Sequence, residues 1–161
     1  MIASFRHLAL ACSVIVCVAA RPAFAAEDHS IYYGSRAGMQ LTTVSKTGIG
    51  TTNAVILVKH TPKDAKAYCV GYEMDNSMAC VKRAMAEVKV GDRVTGNCRK
   101  RIWTDMYGQS YAFEGPMKSP DIMADYAVRD LKSGEILDGS SASGYGVALN
   151  IFQQLCPGIA K

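Results

Sequence analysis

After its first 25 residues the chain has no long apolar run, no C-x-x-C pair, only two histidines and little excess of either charge. Each absence removes a class of function. A bilayer-spanning helix needs about 20 apolar residues, so no membrane anchor is expected. Without close cysteine pairs, and with His29 and His60 far apart, the sequence offers no zinc ligand set and no thioredoxin-like redox motif. A balanced charge leaves no electrostatic footprint for nucleic acid. Repeats, linkers and low-complexity stretches are missing too. What remains is globular composition over 161 residues: 49% hydrophobic, 20% charged and 8% aromatic, which excludes a disordered chain, a collagen-like fibre and a coiled coil.

The N-terminus has a processing signature. Arg6 and His7 precede the apolar stretch Leu8–Ala20, and Arg21-Pro22 then Ala23-Phe24-Ala25 follow it. A basic start, a short apolar middle and an A-x-A site describe a secretory signal peptide. Residues 1–25 are read as that signal, with cleavage before Ala26 and a single exported domain over residues 26–161. Neither Cys12, with Ala9 before it, nor Cys17, after the bulky Val16, sits in a lipoprotein box. The mature chain keeps sixteen basic and fourteen acidic residues, so it is less basic than the whole-chain net charge of +4 implies. The expected location is the periplasm or the medium.

Removal of the signal also takes Cys12 and Cys17, leaving Cys69, Cys80, Cys98 and Cys156. Four cysteines in an oxidising compartment read as two disulfides. Cys69 and Cys80 fall on the apolar sides of two consecutive helices joined by a short turn, so we pair them. Cys98 with Cys156 then ties a strand to the end of the last helix.

Strands are expected at Ile31–Tyr33, Met39–Val44 and Ala54–Val58, the last β-branched and continuous. Thr61-Pro62-Lys63-Asp64 is a helix start: a Thr cap, Pro at the first helical position and an acid at the third. Ala65, Tyr68, Cys69 and Tyr72 form the apolar face of this helix. A second helix follows Asp75-Asn76, with Met78, Val81, Met85 and Val88 on one face, an Arg83–Glu87 pair on the other and Gly91 at its end. Strand text runs from Arg93 to Met117 around a hairpin at Asp105-Met106-Tyr107-Gly108. Further strands are expected at Tyr126–Leu131 and from Ile136-Leu137. After a small-residue loop, Ser143 caps a last helix whose face is Val147, Ala148, Ile151, Phe152 and Leu155. This order is α+β, with a mostly antiparallel sheet, about three helices and two disulfides.

Catalytic constellations are thin. A Ser–His pair would have to use His60, whose neighbour Thr61 is committed to a cap. Pairs such as Asp64 with Glu73 or Asp130 with Asp138 have spacings common to any soluble chain. The loop Asp138–Gly146 lacks the Lys-Ser/Thr ending of a P-loop, the third glycine of a dinucleotide fingerprint and the second glycine of a nucleophile elbow. No cofactor, metal or catalytic set is therefore expected. Ser141, Ser143 and Gly144 remain candidates for an anion or loop site at the helix start.

Arg99-Lys100-Arg101-Ile102-Trp103 joins three cations to the only Trp. On a continuous strand, Arg99, Arg101 and Trp103 share one face, opposite Cys98 and Ile102. An even hairpin loop then puts Ile102 in the core with Tyr111 and Phe113, leaving Trp103 in solvent as a binding hot spot. An odd loop would turn Trp103 inward and leave the cations as a solvated edge.

Tyr33-Gly34-Ser35-Arg36-Ala37-Gly38-Met39, Lys59-His60-Thr61, Thr104-Asp105-x-Tyr107-Gly108, Phe113-Glu114-Gly115, Asp138 through Tyr145, and Cys156-Pro157 are together similar to a group of small exported alphaproteobacterial proteins of unknown function. The resemblance spans nearly the whole mature chain. It implies a periplasmic or secreted setting and carries no activity or site residue. The sequence thus points to an exported, non-enzymatic binding protein that engages a protein or cell-envelope partner through Arg99, Arg101 and Trp103. The competing readings are a small periplasmic hydrolase inhibitor using the Gly139–Gly146 loop, and an enzyme of unrecognised type.

Overall fold

The computed structural model describes residues 30–118 and 124–161; the expected signal peptide and the Ser119-Pro120 loop lie outside the described residues. Their order is β1 (Ile31–Tyr32), β2 (Gln40–Thr47), β3 (Ala54–Lys59), α1 (Pro62–Gly71), α2 (Met78–Glu87), β4 (Arg93–Asn97), β5 (Ile102–Thr104), β6 (Ser110–Pro116), β7 (Tyr126–Asp130) and α3 (Tyr145–Leu155). The strands form one antiparallel meander in the order β1 to β7, so the fold is α+β. α3 packs against β1, β3, β4 and β7, reaching both edges, and the sheet therefore curls around it. Register shifts at Thr43/Ser45 in β2 and at Phe113/Gly115 in β6 are bulges that bend the strands towards that curl.

α3 presents Tyr145, Ala148, Ile151, Phe152 and Leu155 to the sheet. Opposite them lie Ile31, Leu41, Ile56, Val94, Trp103 and Val128, all essentially fully buried. Gly96 makes room: a Cβ there would come within 3.2 Å of the Leu155 side chain. Burying each aliphatic side chain contributes roughly 1.5–3 kcal/mol, so this layer dominates stability. Cys98 and Cys156 are bridged with their Cα atoms 5.4 Å apart, fixing the C-terminal end of α3 to the end of β4.

The helical hairpin α1–α2 is an excursion between the neighbouring strands β3 and β4. The Thr61 cap forms as expected, with Asp64 completing a capping box and Pro62 in the first turn. Asp64 does more than cap. It is buried and accepts from Thr61 N at 2.8 Å, Thr61 Oγ1 at 2.7 Å and Thr42 Oγ1 at 2.9 Å, which pins α1 to β2. Gly38 (φ +77°) lets the β1–β2 turn close on α1, since a Cβ there would lie 2.4 Å from backbone atoms of Ala67 and Tyr68. Between the two helices lies a small cluster, Ala65, Cys69, Cys80, Val81 and Ala84, bridged by Cys69–Cys80 with Cα atoms 6.0 Å apart.

Several local expectations are corrected. α2 ends at Glu87 with Val88 as its C-cap, not at Gly91, because Gly91 N already donates to the Met106 carbonyl at 2.7 Å. Met78 is exposed, since the helix pair buries Val81 and Ala84 instead. Arg83 pairs with Glu73 across the hairpin at 3.7 Å rather than with Glu87. Ile136 makes one bridge to Arg129 and starts no strand. The cap of α3 is Gly144, with φ +74° and no side-chain cap bond.

Candidate functional site

The basic stretch with the tryptophan is not a continuous strand. β4 ends at Asn97 and pairs with β5 through Asn97↔Ile102, so Arg99, Lys100 and Arg101 form the turn between them, with Arg101 at φ +56°. Asp105–Gln109 is the next loop, five residues between the paired Thr104 and Ser110. Asp105 closes it by accepting from Tyr107 N at 2.8 Å and Gln109 N at 2.9 Å. An odd loop puts Trp103 opposite Tyr111 and on the same face as Phe113, while Ile102 pairs with Ala112. Trp103 is therefore 1% exposed, 4.7 Å from the Phe152 ring and 5.5 Å from Tyr111. The solvent-facing placement of Trp103 is overturned. Arg99 and Arg101 stay exposed, at the end of the sheet where Cys98 meets the C-terminus of α3. There they have no aromatic anchor in solvent beside them, the Arg101 guanidinium lying 6.0 Å from the buried Phe113 ring.

Exposed apolar surface gathers elsewhere. Val70 (47% exposed), Tyr72 (41%), Met74 (82%) and Met78 (63%) all stand on the tip of the α1–α2 hairpin. The tip is held from several sides. Cys69–Cys80 staples it, Asp75 N donates to the Cys69 carbonyl at 2.9 Å, and Ser77 N donates to Asp75 Oδ1 at 2.7 Å. The hydrogen bond from Ser77 holds the Asp75 carboxyl below its usual pKa. Tyr68 stacks on Tyr72, and Tyr68 Oη donates to Glu73 Oε1 at 2.7 Å. Met74 takes a left-handed backbone, φ +55°, a conformation that costs an L-residue about 1–2 kcal/mol.

A cleft of about 590 Å³ adjoins the tip. One wall is the β1–β2 turn with Tyr32, Ser35, Arg36 and Gln40; the other is Gly139, Ser140, Ser141, Tyr145 and Val147 at the start of α3. Arg36 links the two features, lining the cleft while its guanidinium sits 4.5 Å above the Tyr72 ring. Of the loop residues singled out in the sequence, Ser141 lines the cleft. Ser143 and Gly144 shape the loop instead: Ser143 Oγ donates to the Ser140 carbonyl at 2.8 Å, and Gly144 makes the turn into α3. Asp138 Oδ1 accepts from Ser140 N at 2.8 Å, which places a carboxylate on the same loop, held below its usual pKa by the Ser140 side chain and then by its backbone N–H. A simple anion cradle would not carry it.

A third cluster is internal. Tyr33 and His60 meet edge to face at 5.6 Å, and burial raises the tyrosine pKa to about 12 and lowers that of His60. Neither residue lines the cleft. Tyr107 Oη donates to the Tyr33 carbonyl at 2.9 Å, so the cluster ties β1 to the β5–β6 loop. Arg36, Tyr72, Met74 and Met78 were not singled out as a site in the sequence. The one available signal is that Tyr72 and Met74 alternate with Glu73 and Asp75 in a helix–helix turn, where large apolar residues are unusual. Among the described residues there is no group of three or more His, Cys, Asp or Glu side chains suited to a metal ion, and no helix is long and apolar enough to cross a membrane. No protein-family model, curated protein or solved structure matches the chain.

Proposed function

We propose that the protein is an exported binding protein, acting in the periplasm or after secretion, that engages a protein or cell-envelope partner through the hairpin tip and the cleft joined to it by Arg36. One observation carries this reading. Of the eight large hydrophobic side chains exposed among the described residues, four are on the tip and a fifth, Tyr32, lines the adjoining cleft. Apolar side chains scattered singly need no explanation, whereas half of those exposed standing on one helix–helix tip supports an interaction surface there. Met, Tyr and Arg are also the residue types enriched at such surfaces. Arg99 and Arg101, at the other end of α3, are left out of this face.

Export is supported by the two disulfides, which belong to an oxidising compartment, and by the N-terminal signature. Mass spectrometry of the exported protein should give a chain beginning at Ala26; recovery of Met1 on it would refute the signal reading. The binding face is tested by placing a photo-crosslinking amino acid at Ser141 or at Arg99 in the exporting cell. A discrete adduct from Ser141, absent from Arg99 and abolished by Arg36→Glu, is the expected result. Equal adducts from both positions, or indifference to Arg36, would refute the assignment.

A further inference from the structure

The cations left out of the binding face form a pole of their own. Three segments meet at the C-terminal end of α3: the β2–β3 turn, the β4–β5 turn and the residues after α3. Cys98 N donates to the Thr51 carbonyl at 2.9 Å, Gly50 N donates to the Leu155 carbonyl at 2.8 Å, and Cys98 is bridged to Cys156. Residues 46–53, 97–102 and 156–161 carry Lys46, Arg99, Lys100, Arg101 and Lys161, all exposed, and no aspartate or glutamate. None of the five is in an ion pair among the described residues. Lys46 Nζ donates to the neutral Gln154 Oε1 at 3.0 Å, and Glu114, beside the Phe113 that donates to the Arg101 carbonyl, is held by Arg129. The neighbouring β6–β7 turn adds Lys118 and Asp125, one charge of each sign, among its described residues. Outside this pole the chain from Ala26 onward is net acidic, with eleven basic side chains left against fourteen acidic ones. Charge that is nearly balanced in total is therefore segregated in space. We propose that this pole rests reversibly on an anionic membrane surface, its cations meeting lipid phosphates with no inserted segment, while the cleft at the start of α3 stays free.

The arrangement of the charges selects the occupant. A discrete phosphate needs donors that converge, and the hollow at this end, about 480 Å³, is lined by only one of the five cations, Arg99. Consecutive residues of a tight turn diverge, so Arg99, Lys100 and Arg101 suit separate phosphates of an extended surface. A protein interface is anchored by buried aromatic and aliphatic side chains, and none of the exposed large hydrophobics stands on these three segments. A second copy meeting pole to pole would set five cations against five, which opposes association. An anionic bilayer needs neither a pocket nor an apolar anchor, and each cation held near it strengthens binding about five-fold. The turn is fixed before contact: Lys100 N donates to Asn97 Oδ1 at 2.9 Å, and Arg101 is held at φ +56°. Little ordering is then left for binding to impose.

The test is cosedimentation of the purified exported protein with vesicles at low salt. Phosphatidylethanolamine–phosphatidylglycerol vesicles should carry the protein down, phosphatidylcholine vesicles should not, and salt at about 0.5 M should release it by screening. Arg99→Ser, Lys100→Ser and Arg101→Ser combined should weaken the partition about 100-fold. Lys63→Ser, Lys89→Ser and Lys132→Ser combined remove the same net charge from other exposed positions and should leave the partition unchanged. Arg101→Gly removes one cation at a backbone position that glycine adopts freely, so it should weaken the partition about five-fold in a protein that circular dichroism shows to be folded. Failure to sediment with the phosphatidylglycerol vesicles, indifference to the triple change at residues 99–101, or an equal loss in the charge-matched variant would each overturn the proposal. Displacement by inorganic phosphate would point to a discrete ion site, and salt-sensitive self-association without vesicles to a second copy; either would overturn it as well. Lipid headgroups give no protein adduct at Arg99, so this test and the Ser141 crosslink succeed or fail independently.

Discussion

The sheet wrapped on α3 and the α1–α2 hairpin are held together by opposite means. The first buries Trp103, Phe152, Ile31, Leu41, Ile56, Ile151 and Leu155, and its disulfide joins elements already packed. The second buries only two alanines, a valine and its own bridged cysteines. Small side chains remove little surface from water, so the hairpin depends on Cys69–Cys80, the Thr61–Asp64 cap and the Gly38 contact. The difference explains where apolar residues end up. A large core draws Trp103 inward, whereas a hairpin stapled covalently can leave Met74 and Met78 in solvent and still keep its shape.

The largest effect expected is in the wrapped sheet. Trp103→Ala should destabilise the protein by about 3–5 kcal/mol, as truncation of a buried large aromatic does. Its fluorescence in the folded state should be blue-shifted and resistant to quencher. A loss of less than about 0.5 kcal/mol, usual for exposed positions, would mean that the core is not where we place it. Removing each disulfide sharpens the contrast. The loops closed by 58 and 11 residues of separation correspond to roughly 4 and 3 kcal/mol by chain entropy. Replacing Cys98 and Cys156 should lower the global unfolding midpoint more. Replacing Cys69 and Cys80 should instead remove hydrogen-exchange protection from α1 and α2 while β3–β6 keep theirs; uniform loss of protection would deny the hairpin its separate character.

The contrast also accounts for what could be read from the sequence. The Thr61–Asp64 cap was legible because every contact that defines it lies within four residues. The disulfide pairing was legible because helical periodicity puts Cys69 on an inward face and leaves Cys98 for Cys156. Trp103 was misplaced because its face depends on loop parity: Gln109 joins the turn through its hydrogen bonds with Asp105, and the basic run hides a reversal at residues 98–101. Ser141 was visible as a small-residue loop. Its neighbour across the cleft, Arg36, arrives there only because Gly38 lets the β1–β2 turn press on α1, a long-range contact with no local signature.

A smaller effect is expected at the seam between the two regions. His60 follows β3 and precedes the Thr61 cap, with Tyr33 against its ring and Asp64 nearby. Burial lowers its pKa from the ordinary 6.5, and the Asp64 charge opposes that only in part. The unfolded chain therefore takes up this proton first as pH falls. The stability associated with neutral His60 is complete above about 6.5 and is lost as pH drops towards the folded-state pKa. Denaturant midpoints should begin to decline as pH falls below about 6.5, and His60→Gln should flatten the decline. A midpoint that rises on acidification through the same window would show that His60 gains a partner on protonation.

The smallest effect is expected at the tip, and it has the opposite sign. Met74 is held at φ +55° with its side chain in solvent. Glycine adopts that conformation without the Cβ penalty of about 1–2 kcal/mol, although it gives up about 0.5–1 kcal/mol through its greater freedom when unfolded. Met74→Gly should therefore raise stability by about 0.5–1 kcal/mol, seen as a higher urea midpoint at an unchanged denaturant slope. Met74→Ala keeps the backbone penalty and should leave the midpoint nearly where it was. Stabilisation by glycine together with loss of partner binding would separate the two demands on this residue, because the same side chain would then be unfavourable for folding and needed for docking. Destabilisation by glycine of more than about 1 kcal/mol would instead give the Met74 side chain a structural role inside the hairpin, and the tip would then belong to the folded unit rather than to the proposed binding face.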